Sequence, residues 1–390
     1  MKISDTVKYV GVDDHEIDLF EGQFEVPNGM AYNSYIIFSD SIAVMDSVDA
    51  RFGGKWMDNI RSVLDENGGR NPDYLVVQHM EMDHSANIKL FADTYPDAKI
   101  VASKMAFTIM KNLFGTDFPG RQIVVSDGSA LELGKGASLK FFTAPNVHWP
   151  EVIMTYYENE GTLFSADAFG KFGALDYDDP EGWICEARRY YFGIVGKFGT
   201  SVQALLKKID GLGIKKICPL HGPVLDACIE YYIGTYTIWS SYDIECDGVA
   251  IFYTSVYGNT RKAAEKLAEI LKKKGCPEIA LNDLAREDIY ECVEDAFRYG
   301  KIVLATTTYN GGVFPKMKDF INLLTERNYQ NRTVALIENG SWAPVAAKGM
   351  AAMFEGCRDI HILESRVSIK TSVTDETVAA LEKLADEIYP

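Results

Sequence analysis

Apolar residues in this chain fall into short runs separated by polar stretches, the pattern of buried strands joined by helices and loops. In the first half, Tyr35-Ile36-Ile37-Phe38 and Ile42-Ala43-Val44-Met45 flank the turn Ser39-Asp40-Ser41 and predict a hairpin. Tyr74-Leu75-Val76-Val77, shortly after Pro72, predicts the next strand. Further strands are expected at Ile100-Val101, 139–143, 162–165 and 214–218, with helices over 54–65 and 85–95. Strands alternating with helices predict layered sheets flanked by helices.

From residue 249 the pattern changes. Apolar runs at 249–253, 301–305 and 333–337 each lead into a polar loop. The loops are Thr254-Ser255-Val256-Tyr257-Gly258-Asn259-Thr260, Thr306-Thr307-Thr308-Tyr309-Asn310-Gly311-Gly312 and Glu338-Asn339-Gly340-Ser341-Trp342-Ala343. Helical spacing follows the first of them over 261–274. Between the halves, 224–242 is mostly apolar or aromatic and reads as a helix or packed connector. The polar run 243–248 marks the boundary between a domain at 1–247 and a second at 248–390.

In the first half, a histidine or aspartate repeatedly stands just past a predicted strand. The strand ending at Val77 delivers Gln78-His79-Met80-Glu81-Met82-Asp83-His84, an HxExDH pattern with four potential metal ligands. His148, Asp167 and His221 follow three later strands. Four of the six histidines occupy such positions, whereas His15 and His361 do not. A lone histidine after a strand is more often one that satisfies a backbone group. Clustered His, Asp and Glu usually mean metal or catalysis. A carboxylate at Glu81 adds negative charge and hard oxygen, which suits iron better than zinc.

The loops of the second half carry a different chemistry. Strand, hydroxyl-rich loop and helix is a layout that binds phosphate at a helix N-terminus. No GxxxxGK[ST] and no GxGxxG is present, which counts against a nucleoside triphosphatase and a dinucleotide site. Three such loops at the carboxyl ends of parallel strands suit a flavin in a doubly wound sheet.

Composition narrows the classes. The formal net charge of −17 argues against nucleic-acid binding. No apolar run approaches the roughly 20 residues that span a bilayer, and Met1-Lys2-Ile3-Ser4-Asp5 does not read as a signal peptide. A cytoplasmic protein is expected. Seven scattered cysteines form no CxxC pair, so free thiols are expected and an iron–sulfur module is not.

With HxExDH and its distant partners in place, the first half resembles a metallo-β-lactamase-like αββα sandwich, with Glu81 where a second histidine usually stands. SVYGNT, TTTYNGG and ENGSWAP make the second half resemble flavodoxin, a doubly wound parallel sheet. The two in this order resemble the flavodiiron proteins. The resemblance implies FMN and two iron ions. It puts His79, Glu81 and His148 on one iron, Asp83, His84 and His221 on the other, and Asp167 between them. It puts Ser255, Val256, Tyr257, Gly258, Asn259 and Thr260 around the phosphate. The flavin ring would lie against Thr306, Thr307, Thr308, Tyr309, Asn310, Gly311 and Gly312 on one loop, and Asn339, Gly340, Ser341 and Trp342 on the other. Trp149 and one of Tyr190 and Tyr191 would shape the substrate pocket. The implied reaction is reduction of dioxygen to water or of nitric oxide to nitrous oxide. Electrons would come from an external donor such as a rubredoxin or a deazaflavin, and the unit would be a head-to-tail homodimer or a dimer of dimers. The alternative is a zinc hydrolase of metallo-β-lactamase type fused to a flavodoxin domain.

Overall fold

The structure, a computed structural model, describes residues 2–390. Internal contacts divide the chain into two compact units, Met1–Thr237 and Ile238–Pro390. The division falls inside the helix Ile229–Ser241, earlier than the polar run at 243–248.

The first unit is built on two sheets. One has the strands β1 (Val7–Tyr9), β2 (Tyr35–Phe38), β3 (Ile42–Met45), β4 (Tyr74–Val76), β5 (Lys99–Ser103) and β6 (Gln122–Val125), in that order. The other has β7 (Ala130–Gly134), β8 (Ala137–Thr143), β9 (Ile153–Tyr157), β10 (Thr162–Phe164) and β11 (Lys216–Cys218), also in order. Their inner faces share one core. Tyr35, Ile37, Ala43, Met45, Val76 and Val101 from the first sheet meet Leu139, Phe141, Ile153, Phe164 and Cys218 from the second. These positions alternate along each strand, as a pleated sheet requires. The intervening Ile36, Val44 and Leu75 are equally buried on the outer face, which is why the sequence shows continuous apolar runs. The unit is a metallo-β-lactamase-like αββα sandwich.

The expected helix over 85–95 is broken into a turn, Met82–Ser85, and a helix, Ile88–Thr94. In a continuous helix the His84 carbonyl would accept from the N–H four residues on. Instead it accepts from Ser47 N–H at 3.0 Å and from Ser47 Oγ at 2.7 Å. Asn87 Nδ2 is committed to the Val48 carbonyl at 2.8 Å and the Asp49 carbonyl at 3.0 Å. The break is therefore held by the loop after β3.

The second unit is a five-stranded parallel sheet of β12 (Val249–Tyr253), β13 (Ile279–Asp283), β14 (Lys301–Tyr309), β15 (Arg332–Asn339) and β16 (Ile360–Ile369). The spatial order is β13-β12-β14-β15-β16, the doubly wound order of flavodoxin. On one face, Val249, Ile251, Val303 and Ala335 pack against Leu267, Leu271, Leu381 and Leu384 of two helices.

Two strands run further than their apolar runs suggest. β14 continues through Thr306–Tyr309, because Thr308 and Tyr309 pair with Val313 and Gly312 of a short return strand. β15 reaches Asn339, which pairs with Thr307. What reads as one loop is thus a hairpin turning at Asn310 and Gly311, both at positive φ. The helix expected from 261 begins at Asn259 and ends at Lys273.

Candidate metal centre and cofactor cavity

The seven residues singled out in the first unit converge in two sets. His79, Glu81, His148 and Asp167 form one; Asp83, His84 and His221 form the other. β4 delivers the loop that carries His79 to His84, and the segments after β8, β10 and β11 supply His148, Asp167 and His221.

Asp167 stands between the sets. Its Oδ2 lies 3.2 Å from both His79 Nε2 and His148 Nε2, and its Oδ1 lies 3.4 Å from His84 Nε2 and 3.8 Å from His221 Nε2. Glu81 Oε2 is 2.9 Å from His148 Nε2 and 3.3 Å from His79 Nε2. Asp83 Oδ2 is 3.1 Å from His84 Nε2 and 3.3 Å from His221 Nε2.

Glu81 Oε2 is hydrogen-bonded to the His148 and His79 rings, but the two aspartates are left unsatisfied. Both carboxylate oxygens of Asp167 and of Asp83 are buried without a partner in hydrogen-bonding geometry. A buried, unsatisfied carboxylate carries a penalty of several kcal/mol per ion, and a cation between the converging atoms removes it. The histidines are turned for that role. A carboxylate or carbonyl can only accept, so His79 Nδ1 donates to Glu151 Oε1 at 2.9 Å and His221 Nδ1 donates to the Ala31 carbonyl at 2.8 Å. In that tautomer each Nε2 would offer its lone pair to a metal at the centre. Carboxylates and imidazoles, groups of opposite charge, also face one another in the centre. Burial would raise the Asp167 carboxyl, but His79 and its neighbours hold it well below the usual carboxylate range. Burial would lower His84, but Asp83 and Asp167 push it up to about 10. The donor set, imidazole nitrogen with three carboxylates, fits iron.

Aromatic rings wall the His221 side. Phe20, Tyr190 and Tyr32 have ring centroids 5.3, 5.5 and 5.9 Å from that of His221. Of the two tyrosines left open by the sequence, Tyr190 is beside the centre, while Tyr191 packs on Tyr236 and Phe192. Trp149 stands 5.4 Å from His79, ring to ring.

Sequence reasoning assigned no role to two buried acids that hold the ligand loop. Asp46, at positive φ after β3, accepts from Gln78 N at 2.7 Å, Gln78 Nε2 at 2.8 Å and His79 N at 3.4 Å. Burial pushes its carboxyl up to about 6 against these donors. Glu151 accepts from Met80 N at 2.9 Å as well as from His79. An acid directly after or before an apolar strand is the only trace either leaves in the sequence.

In the second unit a cavity of about 660 Å³ opens at the carboxyl ends of the strands. Ser255, Val256, Tyr257, Asn259, Thr260, Thr307, Thr308, Tyr309, Asn310 and Gly311 line it, as do Asn339, Gly340, Ser341 and Trp342. Thr371, Ala343 and Val345 join them unforeseen. Gly258, Thr306 and Gly312 do not line it. Thr306 is buried with its hydroxyl 2.6 Å from that of Thr254.

Gly258, at φ 87°, turns the chain into the helix Asn259–Lys273, whose first N–H groups have no helical acceptor. Ser255 Oγ accepts from Gly258 N at 3.0 Å, which leaves its own hydrogen free to donate. The N-terminus of the helix Ala346–Met353 is closed to a ligand. Val345 N and Ala346 N donate to Thr308 Oγ1, and Ala347 N donates to Glu338 Oε2. One phosphate position therefore remains. Tyr257, beside Gly258, and Trp342, on another loop of the cavity, are 92% and 89% exposed, large rings of the kind a planar cofactor stacks on. The residues present fit FMN.

Comparison with known proteins agrees in both units. Residues 30–222 match the ODP family beta lactamase and residues 250–352 a flavodoxin domain. Diflavin flavoprotein A 1 of Synechocystis is 32% identical over 72% of this chain and 49% of its own length. The chain spans about half the length of the curated relatives it matches first. The anaerobic nitric oxide reductase flavorubredoxin of Salmonella arizonae is 28% identical over 87% of this chain and 72% of its own. Among solved structures, rubredoxin oxygen:oxidoreductase of Desulfovibrio gigas superposes with a TM-score of 0.91 at 24% identity, covering 100% of this chain and 97% of that one. The flavodiiron protein of Giardia intestinalis gives 0.90 at 25%, covering 99% and 95%. The relatives named here are flavoproteins and reductases, which disfavours the zinc-hydrolase alternative.

Proposed function

The chain belongs to the flavodiiron protein family, an oxidoreductase family whose cofactors are FMN and two iron ions, and on that premise we propose that it reduces dioxygen to water, nitric oxide to nitrous oxide, or both. One observation carries the reading: Asp167 divides its two oxygens between two sets of imidazole nitrogens, the arrangement a bridging ligand takes. Two ferrous ions and a reduced flavin together hold the four electrons that full reduction of dioxygen takes.

The side chains have assigned roles in this reading. His79, Glu81 and His148 would hold one iron and Asp83, His84 and His221 the other, with Asp167 standing between the two sets. Phe20 and Tyr190 wall the His221 side with buried rings, so that a small uncharged gas is accommodated there more readily than water. Asn259, Thr260 and the N–H groups beside them hold the flavin phosphate, while Tyr309 and Trp342 flank the ring. Electrons come from a donor such as a rubredoxin-like protein or a deazaflavin, since the seven cysteines of these 390 residues form no CxxC pair of the kind that binds an iron–sulfur centre. The working unit is a head-to-tail homodimer or a dimer of dimers, in which the flavin of one chain serves the irons of its partner.

The test uses one reductant and two gases. Purified protein is supplied with the same reduced donor and assayed aerobically for dioxygen uptake and anaerobically for nitric oxide loss. Turnover of either gas that depends on both bound iron and bound flavin is expected. Loss of neither gas from protein carrying both cofactors would refute the reading.

A further inference from the structure

The loop that carries His79 to His84 is fastened to the segment leading into β9 as well as to its own strand. Ile153 N–H donates to the Gln78 carbonyl at 3.0 Å. Glu151 Oε1 accepts from both Met80 N–H and His79 Nδ1, each at 2.9 Å. The backbone of Glu151 is itself fixed, since Ser103 Oγ donates to its carbonyl at 2.9 Å. The Glu151 carboxylate is fully buried and its Oε2 has no partner. A carboxylate held in this way needs a compensating positive charge. Its one side-chain partner among the described residues is the His79 ring, whose other nitrogen would bear the metal that supplies this charge.

The histidines of the other set are held differently. His221 Nδ1 meets a neutral carbonyl, and His84 Nδ1 is buried without a partner. The two sets are thus unequal one layer out from the metals. A carboxylate behind a metal-bound imidazole fixes its tautomer and raises its basicity, and losing such a partner typically weakens metal binding 10–100-fold.

We propose that Glu151 is a positioning residue that makes the metal on His79, Glu81 and His148 the more firmly held of the two. This rests on the two-metal reading of the site. Both hydrogen bonds end on one oxygen, Oε1, so glutamine at this position can keep them while losing the charge. Alanine loses both.

The test is metal release from the full-length protein. The chain is loaded anaerobically with ferrous iron, then mixed with excess chelator, and release of each equivalent is timed. Two phases are expected from wild type, with the slow one absent in His79→Ala. Glu151→Ala should speed the slow phase about 10–100-fold and leave the fast phase alone. Glu151→Gln should speed the slow phase by less. A residue that merely braced the loop would change both phases, because Asp83 and His84 lie on the same loop. Both phases moving together, or an unchanged slow phase in Glu151→Ala, overturns the proposal. Should Glu151→Ala fail to fold, Glu151→Gln decides: a faster slow phase alone supports the proposal, and unchanged release overturns it. Wild-type protein that takes up no iron would sink the two-metal reading as well, a failure distinct from that of Glu151.

Discussion

Asp167 and Glu81 are the residues on which the metal chemistry turns. Asp167 reaches nitrogens of both sets, so Asp167→Ala should lower the iron content from about two per chain to one or less, read by elemental analysis. Retention of both irons would show that the bridge lies elsewhere. Glu81 supplies the hard oxygen in a loop otherwise suited to zinc, so Glu81→His should raise the zinc-to-iron ratio after growth with both metals. Much of this was legible in the sequence, because HxExDH puts four ligands within one short loop after a strand. Glu151 was not, because its meaning depends on β9 lying beside the ligand loop, a contact that no spacing announces. Tyr190 and Tyr191 could not be told apart from adjacent positions. Only the packing around His221 separates them.

At the scale of elements, side chains from neighbouring strands decide where helices begin and stop. Ser47 takes the His84 carbonyl and ends the helical turn that presents Asp83 and His84. Sequence periodicity ran through this break, since the apolar spacing of 88–92 gives no warning of a stolen carbonyl. In the second unit, Thr308 caps the helix Ala346–Met353 through two N–H groups. Thr308→Val should therefore cost about 0.5–2 kcal/mol of stability, measured by denaturant unfolding of the apoprotein. Thr260 shares its hydroxyl with Thr307 and Asn339 at the cavity floor. Thr260→Ala should weaken FMN binding by about 1–3 kcal/mol, by loss of a bond to a charged acceptor. Titration of apoprotein with FMN reads this directly, and unchanged affinity would place the phosphate elsewhere. The basic residues of the helix Asn259–Lys273 are partly neutralised, Arg261 by Glu265 at 2.7 Å and Lys266 by Glu269 at 3.1 Å. That favours a solvated face over a landing site for an acidic donor.

The whole molecule joins a sandwich that holds metals to a doubly wound sheet that holds a flavin. The order of the two units was legible because each announces itself by a different pattern after its strands. The exact join was not, because the chain passes between the units within an apolar helix rather than a flexible linker. If the flavin of one chain serves the irons of another, two dead variants should rescue each other. Variant His79→Ala with Asp167→Ala lacks metal. Variant Ser255→Ala with Asn259→Ala and Thr260→Ala lacks flavin. A purified heterodimer of the two should recover part of the wild-type activity, and an inactive heterodimer would argue against transfer between chains.

Whether flavin and iron act as one reductase is tested most directly by counting electrons. Protein with both cofactors bound is fully reduced without oxygen, then mixed with less dioxygen than it can consume. About four electrons should disappear per dioxygen, with the flavin reoxidised and no hydrogen peroxide formed. Flavin reoxidation at two electrons per dioxygen, with matching hydrogen peroxide while both irons remain bound, would contradict it.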